Sequence, residues 1–587
     1  MKLKLIHSKI ATTAYLQKSV REGSKVTTKT VMRLGTLDEI ARREGCADPL
    51  SWCRAKVAEM TAAEKDRSQP VVVQYKPERR ARLGEDPFRV GGDMLMAGLY
   101  RSLGLPEICA AIQRGGKSHY DLNVILRTLV MGRILFPGSK WATREQSRRF
   151  IKAPGFEAEE MYRSLSLLSG SIDAVQAEVF RRSRSVVERR TGAIFYDCTN
   201  YYLETDEEDA LRRRGKSKEG RPNPIVQMGL FMDYDGIPLA FVIFPGNESE
   251  QQTLQPLEER LAEDFGLTEF VVSTDAGLGS EDNRRYNMTE GREYICVQSL
   301  PQLGEKDRLM AIAPEGWRVA VRDKELGPVD PGDPERDIFN LGELDMERER
   351  HTKFYKEILV EKKPKGKGPR MERVIVTYCH DFALYLRHKR EQRLEKAEKI
   401  VKAKSTRPRQ SQQDPRRYVE TLYCTADGEL AERIVMGIDE KAIEQEQRLD
   451  GFYAYGTSLD DHAVDILRVR GFHGEIEHLF RTTKSFLEAR PVFLQRGERI
   501  KSHFLICFLA MTILKILQKQ LGMEQLSIDR LIATLREYNF KYIHGVGYTP
   551  LFQRTEVTDR LQEIAGVRLD YEITTKREMG RIYKSLM

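Results

Sequence analysis

The stretch Ala193-Ile194-Phe195-Tyr196-Asp197-Cys198-Thr199-Asn200 decides how this chain is read. A short apolar run ending in an acid is the pattern of a buried strand that delivers a carboxylate to a sheet edge. A second run, Glu269-Phe270-Val271-Val272-Ser273-Thr274-Asp275, has the same form and leads into Ala276-Gly277-Leu278-Gly279. Between them, Val226 to Asp233 and Ile237 to Phe244 read as strands joined by Tyr234-Asp235-Gly236. Asp-Gly between apolar runs is a hairpin signal. A helix is predicted from about Gln251 to Phe265, with Pro256 near its first turn, and a further strand over Glu293 to Ser299.

Far downstream stands Ile476-Glu477-His478-Leu479-Phe480-Arg481-Thr482-Thr483-Lys484. Glu477 and Lys484 are close to two helical turns apart, so they share a helix face, with Arg481 between them. Ile476, Leu479 and Phe480 fall on another side and can seat the helix on a core. Glu475 is the rival acid, but two residues from Glu477 it lies across the helix from Lys484. The order strand with acid, hairpin, helix, strand with acid, strand, and much later a helix with acid predicts an α/β fold. It matches an RNase-H-like mixed sheet in which Asp197, Asp275 and Glu477 converge at one edge. The separations are 275 − 197 = 78 and 477 − 275 = 202 residues. The second is too long for a direct connection and implies an inserted domain.

Three convergent carboxylates repel one another, and their natural use is to bind divalent metal. Hard oxygen donors favour Mg²⁺ or Mn²⁺, and two such ions about 3.5–4 Å apart can drive an in-line displacement at phosphorus. In that chemistry Asp197 bridges both ions, Asp275 and Glu477 each complete one, and Lys484 and Arg481 hold phosphates. Taken singly, each acid is better read as a strand-end or cap carboxylate; the combination is what points to a site.

Working outward, Met1 to about Gly35 reads as a small β-hairpin, Thr36 to Asp66 as helical, and the polar run to about Asp86 as a linker. From Gly91 to Arg190 the pattern is helical. The break Phe136-Pro137-Gly138-Ser139-Lys140 suits a DNA-reading helical unit or an ordinary bundle. The basic loop from Arg212 to Arg221 suits phosphate contact or a solvated surface. The inserted region holds strand-like runs, among them Gly316 to Val321 and Arg373 to Val376, and a charged helix from about Asp381 to Lys404. Basic stretches flank that helix; most of these charges read as a solvated surface, and their density would also suit DNA backbone. The expected boundaries are 1–86, 87–190, 191–300, 301–449, 450–520 and 521–587.

With 587 residues, 40% apolar and 31% charged, the chain reads as globular with several domains. Its formal charge of +8 permits an anionic partner. Eight scattered cysteines with no CxxC pair argue against a zinc site or a disulfide framework and fit a reducing cytosol. Met1 is not followed by a signal-peptide core, and the longest apolar run, Phe504 to Leu514, is too short for a bilayer. A bacterial cytoplasmic, nucleoid-associated protein with no membrane role is expected.

Several motifs in this order resemble one family. They are Phe195-Tyr196-Asp197-Cys198-Thr199, Gly215-Lys216-Ser217-Lys218 with Arg221, Gly236-Ile237-Pro238-Leu239, Pro245-Gly246-Asn247, and Ile476-Glu477 with Phe480-Arg481-Thr482 and Lys484. Together with Pro137-Gly138-Ser139-Lys140 and Arg490-Pro491-Val492, they resemble bacterial insertion-sequence DDE transposases, of the sixteen-thirty-four group in the insertion-sequence-four superfamily. The resemblance covers most of the chain. It implies an RNase-H-like core interrupted by a β-rich insertion, a DDE triad at Asp197, Asp275 and Glu477, and cut-and-paste transposition at terminal inverted repeats. It also implies a homodimer holding paired DNA ends, and double-stranded target DNA as a further partner.

The superfamily has a Tyr-Arg-Glu-Lys signature on its catalytic helix. Glu477 and Lys484 match the last two members; the Tyr position falls on Arg470 and the Arg position on His473, so both depart. Gly471 and Gly474 stand where that helix should continue, each costing about 1 kcal/mol relative to Ala. The DNA contacts implied are Lys484, Arg481, His473, Arg470, Lys216, Lys218 and Arg221, with Trp317 of the insertion as the candidate aromatic to stack on a flipped base, although a structural Trp in a strand is the stronger reading of that residue. A nuclease on the same core and a derivative that binds DNA without cutting are the alternative readings.

Overall fold

The computed structural model describes residues 1–8, 11–22, 25–68, 72–73, 78, 80, 83–114, 119–289, 291–322, 338–403, 407–409, 413–424, 433–523 and 526–586. Two compact units divide the chain: one of Met1–Glu85 with His544–Val546, the other of Asp86–Ile543 with Gly547–Met587.

In the first unit, β1 (Lys2–His7), β2 (Thr12–Glu22) and β3 (Lys25–Thr36) form an antiparallel meander. The expected hairpin is its β2–β3 half. β1 adds to it because Leu3 and Leu5 alternate onto the cluster of Ala14, Leu34, Ile40 and Cys53. Helix α1 (Leu37–Glu44) starts at a capping box in which Thr36 and Glu39 satisfy each other's backbone N–H; α2 (Pro49–Ser68) follows.

The second unit begins with β4 (Phe88–Val90) and the helices α3 (Gly92–Ser102), α4 (Leu105–Arg114), α5 (Leu122–Leu135), α6 (Lys140–Ser147), α7 (Ala158–Ser169) and α8 (Ile172–Ser183). Next come β5 (Ala193–Tyr202), β6 (Ile225–Asp233), β7 (Pro238–Pro245), α9 (Leu254–Phe265), β8 (Phe270–Thr274), α10 (Glu281–Tyr286) and β9 (Arg292–Val297). The long connection contains α11 (Glu305–Ile312), β10 (Arg318–Val321), β11 (Lys353–Lys362), β12 (Arg370–Cys379), α12 (His380–Lys402), β13 (Val419–Cys424), β14 (Arg433–Ile438) and α13 (Glu440–Gln447). The chain closes with β15 (Phe452–Thr457), α14 (Ala463–Gly471), α15 (Gly474–Ser485), α16 (Gly497–Leu521), α17 (Ile528–Glu537), β16 (Asn539–Ile543), β17 (Gly547–Pro550), α18 (Glu556–Ala565), β18 (Thr574–Thr575) and α19 (Lys576–Leu586).

A nine-stranded mixed sheet in the order β10-β11-β12-β15-β9-β8-β5-β6-β7 is the frame of this unit. β5, β6 and β7 form an antiparallel meander, and Gly236 takes φ +74° in the β6–β7 turn, which explains the Asp-Gly signal. β8 pairs parallel with β5, and β9 parallel with β8. β15 then turns the sheet antiparallel, and β12, β11 and β10 extend it. Strands of the inserted region thus share the sheet that carries the two aspartates. Glu372 on β12 fastens the extension: it lies between Arg284 of α10 (2.6 Å) and Arg370 (3.0 Å) and accepts from Tyr294 of β9 (2.5 Å).

Beneath the sheet lies the largest core, centred on α16, which packs against α5, α7 and β7. By length and composition α16 could cross a membrane, more than its apolar run alone suggests. Yet 89% of its most apolar window is buried inside the protein, so it is a core helix. The Phe136 to Lys140 break joins α5 and α6, with Ser139 capping α6. Lys140 itself is buried and bonded to His503 of α16 at 3.0 Å, so it is not presented for DNA contact.

Candidate active site

β5 sorts its side chains to two faces. Ile194, Tyr196 and Cys198 enter the core shared with α9 and β8. Phe195, Thr199 and Tyr201, which alternate with them, meet α15 and α16. The ring of Phe195 lies 6.3 Å from that of His473, and Tyr201 lies 4.7 Å from Phe504. Lys484 donates to Thr199 Oγ1 at 2.7 Å. Asp197 shares this face, so α15 runs along the acid-bearing side of β5 from His473 to Lys484.

The strand does not end at Asp197, as its hydropathy suggests. It continues to Tyr202 because β6 supplies a partner for every residue from Ile194 onward. What ends is the pairing with β8, whose last register pair is Phe195↔Ser273. Extended by two residues, that parallel register sets Asp275 beside Asp197. The two carboxylates are close enough to repel. Burial pushes the Asp197 carboxyl up to about 6, Lys218 opposes the shift, and the charge of Asp275 adds to it. Asp197 Oδ1 also accepts the Cys198 N–H at 2.7 Å.

Asp275 is held by Arg470 and His473, which stand where a Tyr-Arg-Glu-Lys signature would have Tyr and Arg. Arg470 Nη2 donates to its Oδ1 at 2.8 Å, and His473 Nε2 lies 3.1 Å from the same oxygen. Burial alone would raise the Asp275 carboxyl, but His473 and Arg470 outweigh it and hold it below the usual carboxylate value. The helix is broken where the glycines stand: α14 ends at Gly471 and α15 starts at Gly474.

Glu477 is exposed on α15, one turn beyond His473. Its charge and that of Asp275 both reach Tyr453 of β15, whose phenol is raised first by burial. Glu475 instead faces Lys515 of α16 at 3.5 Å, which leaves Glu477 as the acid of this helix on the site's side. Lys484 is pushed down to about 8 by burial and by Lys218, with Asp197 opposing. Lys218 Nζ donates to the Cys198 carbonyl at 2.5 Å, so two amines flank Asp197.

The basic loop is ordered against β5 and β7. Asn200 donates to the Lys216 carbonyl at 3.1 Å, and Arg221 stacks over Tyr202 at 4.2 Å. At Gly215 a Cβ would stand 1.9 Å from the Gly246 carbonyl oxygen, so the two glycine-bearing motifs are backbone-packed on each other. Glu219, which sequence reasoning passed over, is the acid of this loop: it pairs with Arg490 and lies 4.0 Å from Lys484. Its signal was a lone acid inside a basic run. The Lys216 and Arg481 side chains are exposed.

Trp317 is a correction. It is fully buried, donates from Nε1 to the Ala313 carbonyl at 2.8 Å, and packs on Phe452 and Tyr378. Its face is closed to a base because it fills the core under β10, β11 and β12.

Among the described residues, no three His, Cys, Asp or Glu side chains stand where they could hold a metal ion together. Asp197 and Asp275 form an adjacent acid pair, and Arg470 and His473 both contact Oδ1 of Asp275. As arranged here, the two adjacent carboxylates lack a third donor among the described residues that would complete a metal site.

No family model matches the chain, and no curated protein matches it. Among solved structures it is similar to the piggyBac transposase synaptic complex with hairpin DNA, at 6% identity over 84% of each chain and a TM-score of 0.36. It is also similar to the Mos1 mariner paired end complex with Mn, at 13% identity over 44% of this chain and 70% of that one, with a TM-score of 0.13. Both scores are low, and the functional reading rests on the chain's own residues.

Proposed function

We propose that this protein is a DNA transposase that cleaves at the ends of a mobile element and joins the freed 3′-hydroxyl to target DNA. The observation that carries this is the closeness of Asp197 on β5 to Asp275, the residue that follows parallel strand β8, with α15, which bears Glu477 and Lys484, tied to β5 at Thr199. The sub-order β7-β6-β5-β8-β9, antiparallel through β5 and parallel beyond, supports the RNase-H-like reading. The ordered motifs support the insertion-sequence reading, and with it binding to terminal inverted repeats, a dimer on paired ends and a bacterial cytoplasmic setting.

Lys484 and Lys218, flanking Asp197, place positive charge where a phosphodiester would sit. Arg221, Lys216 and Arg481 extend that charge outward along the loop and helix. Mg²⁺ or Mn²⁺ is the cofactor class this reading assigns, and Asp197, Asp275 and Glu477 are the residues that would hold it. Bound there, it supplies Lewis-acid stabilisation of charge at phosphorus.

The test uses DNA from both flanks of the gene, with purified protein, in Mg²⁺, Mn²⁺ or EDTA. Cleaved and joined products that need metal support a transposase; cleavage without joining moves the reading to a nuclease. The contact of Arg470 and His473 with Asp275 favours a second reading, a derivative that holds DNA without cutting. Binding without cleavage on correct ends supports that one.

A further inference from the structure

We propose that Arg490 is a further DNA-phosphate contact of the candidate site, and that His503 and Lys140 are the positioning residues that set it there. This rests on the transposase reading and deepens it with three residues outside the acid triad.

The connection from α15 to α16 is irregular, and Leu487 and Ala489 in it are buried. Buried backbone carbonyls need donors. Four successive carbonyls find them in side chains of the surrounding helices. Arg536 of α17 donates to the Phe486 carbonyl at 2.6 Å, and Arg133 of α5 to those of Leu487 (3.1 Å) and Glu488 (3.3 Å). His503 Nε2 of α16 lies 3.0 Å from the Ala489 carbonyl. A carbonyl only accepts, so His503 carries its proton on Nε2, and its Nδ1 accepts from the Lys140 amine at 3.0 Å. Burial, with Lys140 and Arg133 nearby, pushes the imidazole pKa well down and keeps this neutral form.

Arg133, Lys140 and His503 are all buried, and burying such groups costs stability. Each of them bears on the one segment that leads into Arg490. Within it Glu488 takes φ +45°, a left-handed conformation that a free chain would leave.

Beyond Arg490 the segment is anchored again, because the Val492 N–H bonds to the Tyr202 carbonyl at the end of β5 (3.4 Å). Between the two anchors Arg490 pairs with Oε1 of Glu219, the same oxygen that lies 4.0 Å from Lys484 Nζ. Lys484 in turn holds Thr199, two residues beyond Asp197. Two cations thus face one carboxylate oxygen and leave a net positive charge. The Arg490 side chain is 28% exposed, and its guanidinium has donors to spare for a phosphate. Two motifs far apart in sequence therefore meet here: the Pro137 to Lys140 turn sets His503, and His503 sets the residue before Arg490.

The test measures end-duplex affinity by fluorescence anisotropy at several salt concentrations, and hydrogen exchange of the free protein. Wild type is compared with Arg490→Gln, His503→Leu, His503→Gln, Lys140→Met and the double variant His503→Leu/Arg490→Gln. Arg490→Gln should weaken binding about tenfold and lower the salt slope by about one phosphate contact. His503→Leu should reproduce both effects and speed exchange at Leu487 and Ala489 but not in β6. His503→Gln keeps a donor at the Nε2 position, is the milder change for folding, and should return both readouts to near wild type. Lys140→Met should fall between wild type and His503→Leu. The double variant should bind no more weakly than Arg490→Gln, since His503 acts through Arg490. Wild-type affinity in Arg490→Gln, losses that add in the double variant, or wild-type exchange in both His503→Leu and Lys140→Met overturns the proposal. If wild type binds no duplex, the transposase reading fails, while the exchange comparison still decides whether His503 and Lys140 hold this segment.

Discussion

Lys484 Nζ donates to Thr199 Oγ1 at 2.7 Å, tying the last turn of α15 to β5 two residues beyond Asp197. This bond joins two motifs 285 residues apart and fixes the helix that carries Glu477 to the strand that carries the first acid. It also sets an amine, held down near 8 by burial and Lys218, where DNA phosphate would lie.

A lysine with a lowered pKa loses its charge as pH rises through that value. End-DNA affinity should therefore fall between pH 7 and pH 9 in wild type and fall less in Lys484→Met. At pH 7 the substitution should lower the slope of log affinity against log salt by about one phosphate contact. Fluorescence anisotropy titrations at several salt concentrations measure both.

Asp197 has the opposite sign problem. Its folded pKa, about 6, exceeds the unfolded value of about 3.9. Stability present below pH 4 is therefore lost as pH rises to 6, and the ionised acid is a standing cost at neutral pH. Asp197→Asn should be about 1–2 kcal/mol more stable than wild type at pH 7.5, allowing for partial solvent screening, and no more stable at pH 4. Urea unfolding at the two pH values checks the sign.

Much of this arrangement was legible in the sequence, and what was not has physical causes. The apolar runs before Asp197 and Asp275, and the Asp-Gly turn, encode buried neighbouring strands, because burial on both faces demands continuous apolar residues. Hydropathy could not show that β5 continues through Thr199, Asn200 and Tyr202, because pairing with β6 rather than apolarity sustains it. Nor could it show that the inserted strands join the same sheet, since that depends on β15 pairing with both β9 and β12. At Trp317 residue type admitted a stacking surface beside the stronger reading of a structural residue, and packing decides for the latter. The Arg470–Asp275 bond spans 195 residues and leaves no local pattern at all.

Trp317 should accordingly behave as a packing residue. Trp317→Ala should destabilise the protein by about 3–5 kcal/mol through the cavity it leaves. Trp317→Phe should cost less, and neither should change the end-DNA affinity of the folded fraction. Denaturant unfolding beside anisotropy at low temperature separates the two effects.

Glu372 is fully buried among Arg284, Arg370 and Lys362, and despite burial those cations hold its pKa near 2. Glu372→Ala would leave buried guanidinium groups uncompensated, and about 3–5 kcal/mol of stability should be lost. Because the network joins β12 to α10 and β9, hydrogen exchange should rise in β11 and β12 more than in β6 and β7.

The most direct test of the central claim is metal-dependent processing of flanking-end DNA by wild type, Asp275→Asn, Glu477→Gln and Glu475→Gln, with each variant's DNA affinity measured alongside. Wild type and Glu475→Gln should cleave and join the ends in Mg²⁺ or Mn²⁺ and not in EDTA. Asp275→Asn and Glu477→Gln should bind with near wild-type affinity and lose at least 1,000-fold in cleavage. Cleavage that survives either of the latter substitutions, or an absence of cleavage by wild type on ends that it binds tightly, would contradict the assignment.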